Sequence, residues 1–99
     1  MGNHEQRQVE TASAALVAEL DEAYVNLRRT YVEAASRATS DAEQRVWRER
    51  SILMKRHREL VDSESRDEVL DGIAVIHSAH QDARTHIAAQ LAVAYVWSH

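Results

Sequence analysis

The sequence predicts an all-α fold, and three observations carry that reading. The 99 residues include no proline and only two glycines, Gly2 and Gly72, so few residues are present that break helices or permit positive φ. Alanine, leucine, glutamate and arginine are abundant, while β-branched residues nowhere alternate with polar ones as a half-buried strand requires. Apolar residues also recur at three- and four-residue spacing along three long stretches. The expected architecture is a three-helix antiparallel chain, long–short–long, that assembles as a helical homo-oligomer. It forms one domain, residues 1–99.

The first helix is expected over about residues 5–38, where Val9, Leu16, Leu20, Ala23, Tyr24, Leu27, Tyr31, Ala34 and Ala38 share a face. In "ATSDAEQ", Ser40 supplies an N-cap oxygen and Glu43, three residues on, its capping-box partner. The second helix then spans about 41–63, with Val46, Leu53, Leu60 and Val61 on its stripe and Trp47 and Met54 beside them. In "DSESRDEV", Ser65 and Glu68 repeat the arrangement and open a third helix over about 66–97. Its stripe is Val69, Ile73, Ile76, Ala83, Ile87, Leu91 and Ala94. Connections this short make sequential helices antiparallel neighbours, pairing where residue numbers sum to about 79 and then about 129.

Composition excludes several classes of function. The formal charge is −4, with both signs interspersed and no basic block, so no nucleic-acid partner is expected. The absence of cysteine excludes disulfides and thiol chemistry and fits a reducing compartment. No apolar run approaches the roughly 20 residues of a membrane span, and "MGNHEQRQVE" lacks the apolar centre of an export signal. A cytoplasmic protein without membrane contact is expected. There is no glycine-rich phosphate loop and no nucleophile constellation, so no catalytic residue and no cofactor is assigned.

The polar residues on apolar stripes are the unusual feature. "IHSAHQDARTHI" places His77, His80 and His86 on one helix, but at about 100° per residue His86 lies opposite His77. They do not converge, and a pair of histidines is too few for a closed zinc site, so no metal is expected. His80 falls at the centre of the third stripe, with His77 on its shoulder and His86 outside. Arg50 and His57 fall on the central stripe of the second helix. The register sets His80, Arg50 and Tyr31 level as one polar layer, and sets His57 beside Gly72, whose missing side chain makes room for the ring. Such a layer either fixes register or forms an anion pocket of Tyr31, Arg50, His57 and His80, with Arg50 as the fork for a carboxylate or phosphate. Histidines converging from different helices or chains would instead make a pH-responsive regulator.

With its basic run "VWRERSILMKRH", its length and its long–short–long plan, the chain resembles the all-α chorismate mutases. The resemblance lies in the architecture, and it implies an intertwined dimer with an arginine-rich site for a dicarboxylate. It assigns no catalytic role to any residue here.

The last stretch, "AAQLAVAYVW", is apolar on nearly every side, and a helix of that kind is buried on all sides. Leu91, Val93, Tyr95, Val96 and Trp97, together with Ile52 on the back of the second helix, are therefore expected at an interface with another copy, a dimer being the simplest closed assembly. Another protein docking on the C-terminal helix is the other occupant. The function expected is that of a non-enzymatic interaction or regulatory protein working as a homo-oligomer. The alternative is a small dimeric enzyme or anionic-metabolite-binding protein with an interhelical Arg/His/Tyr pocket.

Overall fold

A computed structural model describes residues 10–98 and contains three helices: α1 (Ala14–Ser36), α2 (Asp41–Leu60) and α3 (Arg66–Ser98). The protein is all-α. Each start has a hydroxyl cap. Ser13 Oγ accepts from Leu16 N–H at 3.1 Å, Ser40 Oγ from Glu43 N–H at 3.1 Å, and Ser65 Oγ from Glu68 N–H at 3.3 Å. The two expected capping boxes close in modified form. Glu43 reaches back to Thr39 N–H (3.0 Å), one residue before the cap, and Glu68 reaches across the turn to Asp62 N–H (2.9 Å).

The first helix starts later than the periodicity predicts. Residues 10–12 run extended against 64–66, with Ala12 N–H donating to Glu64 O (3.2 Å) and Arg66 N–H to Glu10 O (2.8 Å). Ser13 caps the helix there, its oxygen taking the Leu16 N–H that a further helical turn would otherwise satisfy, while the pairing with 64–66 holds residues 10–12 extended. The expected start near residue 5, and Val9 on the predicted stripe, lie outside the described residues. With helices of 23, 20 and 33 residues, α2 is the shortest of the three as expected, but α1 is not the long first helix on which the chorismate mutase resemblance drew.

The core lies between α1 and α3, which run in the same direction from a common end. Leu20, Leu27, Val69 and Ile76 are fully buried, each contributing about 1.5–3 kcal/mol relative to exposure. Helices α1 and α2 pair at the register expected. Gln44 Nε2 donates to Ala35 O (3.4 Å), the Tyr31 and Trp47 ring centroids are 5.7 Å apart, and the Arg58 guanidinium clasps Asp21 at 2.6 and 2.9 Å.

Three expectations about packing are corrected. Helix α2 packs along α1 and touches α3 only sparingly, so the second and third helices are splayed rather than zipped. Its buried side chain is Trp47, with Met54 and Val61 partly buried, whereas the predicted central stripe faces outward: Val46 is 43%, Leu53 59% and Leu60 81% exposed. Both stripes have helical spacing, and the indole wins because its apolar area exceeds that of a valine or leucine one position away. Gly72 admits not His57 but Leu20 and Val61, since a Cβ there would stand 3.2 Å from a methyl of each.

Candidate functional site

Helix α1 separates the residues expected to share one polar layer. Tyr31 and Thr30 are adjacent on α1 and therefore face different sides, about 100° apart. On one side, Tyr31, Arg50, Leu53, Met54, Ala79 and Asp82 line a shallow groove between the splayed α2 and α3. Burial pushes the Tyr31 phenol up from its ordinary value, Arg50 pulls it down, and Asp82 pushes it further up. The Arg50 guanidinium lies 4.6 Å over the Trp47 ring, a cation–π contact at an exposed position. On the other side, His80 Nε2 is 2.8 Å from Thr30 Oγ1, at the level the register predicts. Burial, then the charges of Arg84 and His77, hold the His80 imidazole below its ordinary value. The structure thus joins Tyr31 to Arg50 and places His80 in a separate groove with Glu33 and Arg84. His57 joins neither; its Nε2 is buried without a hydrogen-bond partner among the described residues.

His86, expected outside the bundle, turns inward. Its ring centroid is 4.7 Å from that of Trp47, and Nε2 lies 3.4 Å from Glu43 Oε1, close enough for an ion pair but not aligned as a hydrogen bond. The three histidines of α3 thus take three environments: His77 exposed, His80 on Thr30, and His86 on Trp47. Among the described residues no group of three or more His, Asp or Glu is placed to hold a metal ion. No helix is long and apolar enough to cross a membrane.

A groove of about 580 Å³ lies where α3 leaves the bundle. Its walls are the α1–α2 turn, through Arg37, Thr39 and Glu43, and the α3 face carrying His86, Gln90, Val93 and Trp97. Both polar atoms of the Gln90 amide are buried there without a hydrogen-bond partner among the described residues. An unsatisfied buried amide is costly, on the order of 1–3 kcal/mol, and calls for an explanation. Sequence reasoning missed this groove. The signal available was the four–three–four spacing of residues 86, 90, 93 and 97, which marks a helix seam even though two of its members are polar.

Comparison with known proteins adds no relative. No protein-family model matches the chain, and neither a curated protein nor a solved structure matches it.

Along and past the groove α3 runs on from the core. The last buried residue is Ile87, and eleven helical residues, 88–98, extend about 16 Å past it at 1.5 Å per residue. Helix α1 ends at Ser36, level with that point, and among the described residues the extension meets the rest of the bundle at the α1–α2 turn that walls the groove. Leu91 is 46%, Val93 57%, Tyr95 66%, Val96 70% and Trp97 85% exposed. Ile52, also exposed, lies apart from them at mid-bundle, in a groove with Tyr24, Arg28 and Lys55. The molecule therefore offers a long, uncharged apolar helix end above a groove with an unsatisfied amide.

Proposed function

We propose that the chain is a non-enzymatic helical interaction module that works as a homo-oligomer, with the end of α3 as its contact surface. The observation that carries this reading is the projection of α3 beyond Ile87. An isolated helix of eleven residues is marginal in water, and tertiary burial is what normally stabilises one. Between Arg84 and the end of α3 there is no Asp, Glu, Lys or Arg, so two copies can approach without like-charge repulsion. Burying Leu91, Val93, Val96 and Trp97 would contribute several kcal/mol at about 25 cal/mol per Å².

A pocket enzyme draws less support from this geometry. The groove holding Tyr31 and Arg50 also holds Asp82, whose carboxylate opposes an incoming anion, and His80 opens elsewhere. Mass by light scattering tests the proposal on the full chain at neutral pH. The wild type is expected at a multiple of 11.3 kDa and the Val96→Ser/Trp97→Ser variant at the monomer mass with unchanged helicity. A monomeric wild type would sink the proposal.

A further inference from the structure

Between α1 and α2 a groove of about 370 Å³ gathers three cations, and we infer that it binds the phosphate group of a small phosphate monoester. This inference stands apart from the homo-oligomer reading, because no residue of the α3 end takes part in it.

The sequence places the residues. Tyr24 and Arg28 are one turn apart on α1, and Ser51, Lys55 and Arg58 recur at four–three spacing on α2, so each set shares a helix face. The α1–α2 register then sets Asp21 level with Arg58, Tyr24 with Lys55, and Arg28 with Ser51. Three positive side chains thus meet across one groove from two helices, in a chain whose net charge is −4. In the grooves of Arg50 and of Arg84, by contrast, a carboxylate accompanies the single arginine, Asp82 in the first and Glu33 in the second. Glu59 is the one acid lining this wall, and among the described residues it makes no ion pair with the three cations.

Two of the cations are held in place with donors to spare. Arg58 Nε and Nη2 both donate to Asp21 Oδ1, at 2.9 and 2.6 Å. That clasp occupies only part of the five-donor guanidinium and fixes a side chain that is 19% exposed, leaving the remaining N–H groups for a ligand. The Arg28 guanidinium lies 5.8 Å from the centre of the Tyr24 ring, a cation–π contact that orients it and uses no N–H. Among the described residues Arg28 and Lys55 have no ion-pair partner, and the Ser51 and Tyr24 hydroxyls have no hydrogen-bond partner. Donors positioned in advance lose little freedom when a ligand arrives.

A phosphate suits this set better than a carboxylate. It carries close to two negative charges at neutral pH and three strong acceptor oxygens, enough to engage two guanidinium forks and an ammonium together. A carboxylate would fill one fork and leave the other cations repelling each other. The groove has the size of a small-molecule site. Ile52, 52% exposed, and the Tyr24 ring give it an apolar wall for the organic part of an ester.

The test uses the full chain at neutral pH and a constant ionic strength of about 0.15 M, titrated with inorganic phosphate and with phenyl phosphate and followed by amide and arginine Nε NMR. Both probes should bind saturably and shift the Arg28 and Arg58 Nε signals, phenyl phosphate more tightly. Arg28→Gln/Lys55→Gln should weaken phenyl phosphate about tenfold or more at unchanged helicity, since both side chains are exposed. Arg29→Gln/Arg56→Gln removes the same charge outside the groove and should leave the affinity within about twofold. Equal losses in the two double variants would mean general electrostatic attraction and would overturn the inference. Shifts that rise linearly without saturating would overturn it as well. Equal affinity for the two probes would overturn the ester assignment and leave a site for inorganic phosphate. Each of these results is read independently of the mass of the protein, so this inference and the homo-oligomer reading fail separately.

Discussion

The Thr30 hydroxyl has one proton and two acceptors within reach, the Asn26 carbonyl at 3.0 Å and His80 Nε2 at 2.8 Å. It can donate to only one. If it donates to Asn26, the imidazole donates to the hydroxyl, and the bond survives protonation of the ring. The contact itself therefore tolerates a charged His80; burial and the neighbouring Arg84 and His77 do not. Because the folded value lies below the unfolded one of 6.5, the unfolded chain binds more protons between the two. The stabilising contribution is complete above pH 6.5 and is lost as pH falls through the folded value. Melting temperature should accordingly drop between pH 7.5 and about 5 more in the wild type than in His80→Gln, which keeps a donor for Thr30. Equal drops in the two proteins would contradict this. At Gly72, a helical alanine would gain about 1 kcal/mol of propensity, but its Cβ would press the fully buried Leu20 and also Val61. Overpacking of that kind costs about 1–3 kcal/mol, so Gly72→Ala is expected to lower stability by about 1 kcal/mol in urea unfolding.

At the scale of the element, α2 carries two apolar lines 100° apart, and only one is used inside the chain. Truncating Trp47 to alanine should cost about 3–5 kcal/mol, a large share of the stability of a domain this small, because the indole joins Tyr31 on α1 to His86 on α3. Leu53→Ala should stay within about 0.5 kcal/mol, as an exposed substitution does. Urea midpoints of the two variants decide which line is core. The choice was not legible in the sequence, since Val46, Leu53 and Leu60 have the spacing of a core stripe and are joined by Arg50 and His57. Only the pairing with α1 reveals that the indole faces in. What the sequence did disclose was whatever local chemistry determines: the caps at Ser40 and Ser65, the α1 and α3 stripes, and the α1–α2 register that puts Tyr31 against Trp47. The α1 start escaped it because the pairing of residues 10–12 with 64–66 is non-local. The Tyr31–Arg50–His80 layer failed for a related reason: equal level along a bundle does not fix equal azimuth, and α1 divides the three.

For the whole molecule, the buried core ends at Ile87 while helix α3 runs on to Ser98, so the proposed assembly surface lies outside the part of the chain that holds the fold together. Folding draws on Leu20 through Ile87, where the three helices overlap. The extension adds no buried side chain to that core. A chain ending at Gln90 keeps every buried residue, the caps at Ser13, Ser40 and Ser65, and the Trp47–His86 contact. It should fold as a monomer with its unfolding independent of protein concentration. The full chain, as a homo-oligomer, should melt higher as concentration rises, because assembly stabilises the folded state by mass action. Thermal unfolding of both proteins over a hundredfold range of concentration separates the two behaviours. A full chain whose melting point does not move would make the α3 end a passive extension. A shortened chain that fails to fold would instead place the extension within the folding core, against the burial pattern. A concentration-dependent full chain beside a concentration-independent shortened one would identify the last eight helical residues as the part of the molecule devoted to another copy.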